Sequence, residues 1–107
     1  MIKVEVVREN DVIKEILLKG HALYDDMGKD IVCAFVSGTV ICSINGINSI
    51  DIDYLDIDKQ KDLIRIIVFK NDKIVDTLLI NMLNCLKNME KKYPSNIKIY
   101  DKEEGTC

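Results

Sequence analysis

Asp30-Ile31-Val32-Cys33-Ala34-Phe35-Val36-Ser37-Gly38-Thr39-Val40-Ile41-Cys42-Ser43-Ile44 is the longest apolar stretch of the chain. Its β-branched content suits a buried strand, and periodicity alone does not decide between strand and helix. Length does: about 15 residues is long for a strand and ordinary for a helix. Asp30 adds a start signal, because a carboxylate at the N-cap accepts from backbone N–H groups of the first turn. The stretch therefore reads as a central helix, buried on more than one side and ending near Asn45-Gly46.

Working outward, the N-terminal side reads as a hairpin. Ile2-Lys3-Val4-Glu5-Val6 alternates with period two, Asn10-Asp11 supplies turn chemistry, and Val12–Lys19 forms the second strand, ending at Gly20-His21-Ala22. Periodicity fails between Leu23 and Lys29, which reads as a loop with Gly28 as a turn or hinge residue. On the other side, strands are expected at Ile50–Leu55 and Leu63–Phe69, joined by the polar turn Asp58–Asp62. Ile74, Val75, Leu78, Leu79, Met82, Leu83, Leu86 and Met89 then recur at helical spacing and mark one core-facing stripe. Asn71 or Asp72 caps this helix, Lys87, Lys91 and Lys92 suit its negative end, and Pro94 stops it. Ile97–Tyr100 is a last short strand, and Asp101–Cys107 reads as a loose tail.

The order β-β-α-β-β-α-β, with paired strands and separated helices, predicts an α+β two-layer sandwich in one domain spanning residues 1–107. Of the 107 residues, 48% are hydrophobic and 31% charged, a globular mixture that excludes a disordered chain. No apolar run in this reading reaches the roughly 20 residues needed to cross a bilayer. The start MIKVEVVREN has no signal-peptide core, so a cytoplasmic location is expected. Fifteen Lys and Arg against 18 Asp and Glu leave a formal net charge of -3, without the basic footprint of direct nucleic-acid binding. A core this small gains from burying part of the first helix in a homodimer.

Four cysteines, at 33, 42, 85 and 107, contain no C-x-x-C pair, and there is one histidine. Neither a zinc site nor a thioredoxin-like redox pair is expected. Asp51, Asp53, Asp56 and Asp58 lack calcium-loop spacing and read as a solvated face. Cys33 is different from the other thiols. If Asp30 is the N-cap, Cys33 is N3, where the exposed N–H groups and the helix dipole favour thiolate over thiol. A thiolate nucleophile, an imidazole acid–base and oxyanion donors at the helix start would suffice for acyl transfer. His21 is the sole imidazole for that role. Cys42, among Val40, Ile41 and Ile44, reads as buried and inert; Cys85 reads as a small core residue, and Cys107 as a mobile terminus.

Position alone leaves the bland readings open. The His and Cys also suit purely structural roles, and Asp30 suits either a cap or a residue orienting His21. Ser37, one turn after Cys33, suits a site hydroxyl or a simple back-bond to the Cys33 carbonyl. A thiol redox sensor also uses a helix-start cysteine, but Cys42 lies more than two turns away, too far for easy bridging.

The pattern Gly20-His21-Ala22, then Gly28-x-Asp30-x-Val32-Cys33-Ala34-x-x-Ser37, resembles the signature of the ribosomal-processing cysteine proteases called Prp. The resemblance extends over the whole chain in length and element order. It implies a cysteine endopeptidase that removes the N-terminal extension of a bacterial large-subunit ribosomal protein, the one numbered twenty-seven, by cutting after a phenylalanine. It implies a homodimer, no cofactor, Cys33 as nucleophile and His21 as base and later acid. Gly20, Gly28, Asp30 and Ser37 are accompanying motif positions, and the loop 22–29 would form part of the substrate groove. The alternative is a non-catalytic ribosome-assembly module that binds a precursor peptide.

Overall fold

The computed structural model describes residues 1–102 and arranges them as five strands and two helices. Strands β1 (Ile2–Glu9) and β2 (Val12–Lys19) form the expected hairpin, followed by α1 (Ile31–Ile50), β3 (Leu55–Gln60), β4 (Leu63–Val68), α2 (Lys73–Lys92) and β5 (Ile97–Lys102). The sheet order is β3-β4-β2-β1-β5; the β1–β5 pair is parallel and the other pairs are antiparallel. One face packs against both helices in the core, and the other mixes charged residues such as Glu15 and Arg65 with Leu17 and Ile67, so the architecture is the α+β two-layer arrangement expected.

Local chemistry sets the sheet register. Asn10 and Asp11 take φ of 52° and 65°, the double left-handed geometry of a tight hairpin turn. On β1, Ile2, Val4 and Val6 point inward by strict alternation. On β2, Ile13 and Ile16 are both buried although three residues apart. The register shifts there, Val7 facing Glu15 and Arg8 facing Ile13, so Lys14 is the extra residue of a bulge. The bulge returns Ile13 to the core face; without it that side chain would point to solvent. Arg8 Nε and Nη2 donate to the two oxygens of Asp101 at 2.8 and 3.0 Å, tying the far end of β5 to β1.

Four expectations need correction. The first helix runs past Gly46 to Ile50. A helical glycine costs about 0.5–1 kcal/mol, whereas full burial of an isoleucine contributes about 1.5–3 kcal/mol; Ile47 is fully buried, so packing wins. The third strand is accordingly not Ile50–Leu55 but Leu55–Gln60, and its hairpin turn shrinks to Lys61-Asp62, with Asp62 at φ 64°. Asp101 and Lys102 belong to β5 rather than to a tail, while 103–107 lie outside the described residues.

The fourth correction concerns how α1 is buried. Val32, Val36, Val40 and Ile47 are buried in the core, with half-buried Cys33 and Ile44 packed against it. Ile31, Phe35, Ile41 and Cys42 are exposed on other sides of the helix. At 20 residues, α1 is long and apolar enough to cross a membrane by length and composition alone. Its buried edge joins the core shared with α2 and the sheet.

Candidate active site

The site is built where β2 ends and α1 begins. Gly20 leaves the sheet with φ 86°, a conformation that L side chains rarely adopt, and a Cβ there would stand 2.7 Å from the carbonyl oxygen of Met1. Its N–H donates to the carbonyl of Asp62 at 3.0 Å, which fixes the chain just before His21. Ala22 is buried, and its carbonyl accepts from Asn96 Nδ2 at 2.9 Å. The Ala22 N–H donates to Cys33 Sγ at 3.3 Å, so the segment after His21 is bonded directly to the thiol.

Asp30 is the N-cap of α1: Oδ1 accepts from the Cys33 N–H at 3.0 Å. Its Oδ2 accepts from the N–H groups of Tyr24 and Asp25 at 2.9 and 3.4 Å. Desolvation pushes this carboxyl up, but the backbone donors of Cys33, Tyr24, Asp25 and Val32 outweigh it and hold it below the usual carboxylate value. The carboxylate thus locks helix start and loop together around Cys33. The loop gains a second anchor where the Tyr24 ring meets Tyr93 edge to face, centroids 5.1 Å apart. Lys29 N–H closes a turn onto the Asp26 carbonyl at 2.9 Å, with Gly28 at φ 87°, so Gly28 is a turn glycine. Leu23 and Met27 stand out from this loop, 77% and 97% exposed.

His21 does not meet Asp30. Its Nε2 lies 2.5 Å from Oδ1 of Asp62, the tip of the β3–β4 hairpin. Sequence reasoning assigned Asp62 only to a polar turn; a contact across 41 residues leaves no local pattern to read. Of the N–H groups at the start of α1, those of Cys33 and Ala34 are bonded to the Asp30 side chain and carbonyl. Ser37 lines the site, yet among the described residues its hydroxyl has no hydrogen-bond partner, including the Cys33 carbonyl. Ser43 and Ser49, by contrast, do back-bond to Thr39 and Asn45.

Two clefts meet at His21, Cys33 and Ser37. One, of 280 Å³, runs toward the sheet edge past Gly20, Val36, Lys59 and Asp62. The other, of 480 Å³, opens under the loop between Leu23, Met27, Gly28 and Ala34. Among the described residues no group of three or more His, Cys, Asp or Glu is placed to hold a metal ion.

Comparison with known proteins fits this arrangement. Residues 1–98 match the family described as Cysteine protease Prp. The chain belongs to the Prp family. The ribosomal processing cysteine protease Prp of Staphylococcus aureus is 30% identical over 104 residues, 92% of this chain and 97% of that one. Two solved structures of the essential ribosomal processing protease Prp from S. aureus share the fold. One holds a covalently linked product peptide (TM-score 0.90, 27% identity), the other a substrate peptide (TM-score 0.83, 26% identity); each match covers 95% of this chain and 100% of the other.

Membership in Prp makes the chain a cysteine protease, and its thiols can be compared on that footing. Cys42 is exposed, contrary to expectation: its sequence neighbours are apolar, but it stands on the outer side of α1. Nine residues from Cys33, it is half a turn round the helix and about 13 Å along it. Cys85 is half-buried on α2. Cys107 lies outside the described residues. Of the described thiols, only Cys33 lines the clefts with an imidazole.

Proposed function

We propose that this chain removes the N-terminal extension of bacterial large-subunit ribosomal protein number twenty-seven, cutting after a phenylalanine, with Cys33 as nucleophile and His21 as acid–base. The observation that carries this is the junction of two clefts at Cys33, whose sulfur accepts the Ala22 N–H, with His21 on the same wall. Cys33 is the third residue of the 20-residue α1, its N–H held by the Asp30 cap.

The Cys33 thiolate attacks the scissile carbonyl carbon, and the carbonyl electrons move to oxygen. The tetrahedral species collapses as imidazolium His21 gives its proton to the leaving amine, and a thioester remains. His21, now neutral, takes a proton from water; hydroxide adds to the thioester and the Cys33 thiolate leaves. The cleft beneath Leu23, Met27 and Ala34 supplies apolar walls for an aromatic residue. The ribosomal processing role of the S. aureus relative and the peptides held in its two solved structures support the substrate class.

The proposal includes a homodimer formed through the exposed stripe of α1, with a second copy of this chain as the occupant. Ile31, Phe35 and Ile41 are 53%, 40% and 51% exposed on the most apolar helix of the chain. We assign the reaction to the cytoplasm, where thiols stay reduced. The test is mass spectrometry of a precursor peptide carrying the extension, incubated with wild type and with Cys33→Ala. A single cut after phenylalanine in wild type alone is expected. A peptide that binds but stays intact would turn the reading to the assembly module.

A further inference from the structure

The carboxylate that touches the imidazole is not part of the sequence motif. We propose that Asp62 is a positioning residue for His21, holding Nε2 as a hydrogen-bond donor so that Nδ1 is the nitrogen that exchanges a proton with Cys33. This rests on the catalytic roles proposed above for Cys33 and His21.

A carboxylate only accepts, so a ring nitrogen 2.5 Å from Asp62 Oδ1 carries the hydrogen. In neutral imidazole the lone pair then sits on Nδ1. Asp62 also grips the backbone, since its carbonyl accepts the Gly20 N–H at 3.0 Å. One residue therefore holds both the side chain of His21 and the peptide that precedes it. The turn itself does not require this residue. At φ 64° an Asn or Gly would serve the two-residue hairpin as well, and neither carries a negative charge.

The neighbouring charges leave Asp62 as the operative one. Lys19 and Lys59 line the sheet-side cleft, while Asp25 and Asp30 line the loop-side cleft. The oxygens of Asp30 are already taken by N–H groups of Cys33, Tyr24 and Asp25. The side chains of His21 and Asp62 are 58% and 45% exposed, so solvent screens their attraction and little global stability depends on it. Its consequence falls on the orientation and tautomer of the ring.

The test compares wild type with Asp62→Ala and Asp62→Asn in three ways. Cleavage of the precursor peptide should show kcat lower on the order of 10²-fold in Asp62→Ala with KM within about twofold. Asp62→Asn, whose amide oxygen still accepts from Nε2, should restore kcat to within about tenfold. Alkylation of Cys33 by iodoacetamide across pH 5–9 needs no substrate. Its rate should fall in Asp62→Ala and recover in Asp62→Asn, because only an accepting oxygen holds the ring beside the thiol. Ring-nitrogen NMR of the Cys33→Ala protein should show the hydrogen on Nε2, a measurement that needs no Asp62 variant. A hydrogen on Nδ1, or an Asp62→Ala protein with wild-type kcat and alkylation profile, overturns the proposal. If wild type leaves the peptide uncut, the ribosomal substrate reading fails, while the alkylation and NMR arms still decide the role of Asp62.

Discussion

The two helices of this protein begin in the same way and do different work. Both are 20 residues long, and each is capped by an aspartate whose carboxylate accepts from the N–H of the third helical residue, Asp30 from Cys33 and Asp72 from Val75. Both carboxylates are braced, Asp30 by the loop N–H groups of Tyr24 and Asp25, Asp72 by the Tyr54 hydroxyl at 2.6 Å. Val75 is fully buried and anchors α2 to the core. Cys33 is partly exposed at the junction of two clefts. A capped helix start is thus a scaffold; the function proposed above places chemistry where a thiol occupies N3 and an imidazole lines the same cleft.

The largest test of that contrast removes the thiol. Cys33→Ala should lower cleavage of the precursor peptide by at least about 10³-fold and leave the melting temperature close to that of wild type. Residual turnover near the wild-type rate would mean that the helix start carries no nucleophile. The next test removes the caps in turn. Asp30→Ala should lower kcat/KM on the order of 10²-fold, because it frees the loop from the helix and lets the thiol drift. Asp72→Ala should leave kcat/KM within about twofold. Both should lower the melting temperature, since each strips a helix start of its acceptor. Equal losses of activity in the two variants would break the distinction between a cap that holds a site and one that holds only a helix.

The outer faces also differ, and this separates what could be read in the sequence from what could not. On α2 Val75, Leu79, Met82, Leu83 and Leu86 are buried as spacing predicts and Lys91 and Lys92 occupy the last turn, but Ile74, read as part of that stripe, is exposed in the first turn. Strong periodicity and clear end signals made this helix and the β1–β2 hairpin legible. On α1 apolar residues stand on every side of the helix, so no stripe stands out; the pattern reads as burial on several sides, with Cys42 inside. Its end was misplaced because Gly46 is a local signal and the burial of Ile47 a tertiary one. His21, Cys33 and Asp30 were legible because they cluster within 13 residues around a loop and a cap. Asp62 and Asn96 were not, since they reach the site through a hairpin and through the segment after α2.

A charge placed on each outer face sharpens the comparison. Ile41→Glu should weaken self-association at least about tenfold, seen as a shift toward monomer in sedimentation equilibrium. Ile74→Glu, at a position 60% exposed on α2, should leave the sedimentation profile unchanged. A monomeric wild type, or dissociation by both variants alike, would remove α1 as the dimer face.

The smallest effect comes from titrating the caps themselves. Asp30 and Asp72 both lie below the model-peptide value of 3.8. For Asp30, backbone donors overcome desolvation; for Asp72, the Tyr54 hydroxyl contributes most. Asp101 is lowered too, chiefly by its hydrogen bond from Arg8. A carboxyl with a depressed folded value binds its proton first in the unfolded chain, so its contribution to stability is present above 3.8 and disappears as pH falls through the folded value. The melting temperature should therefore hold between about pH 5 and 7 and fall below about pH 4. Asn also caps helices, so Asp→Asn removes the charge while keeping the acceptor. Asp72→Asn and Asp30→Asn should each flatten the acid limb, because the two carboxylates sit in equivalent places. An acid limb unchanged in both variants would assign the acid sensitivity to Asp101 and its arginine, and leave the two helix starts alike in geometry but silent in titration.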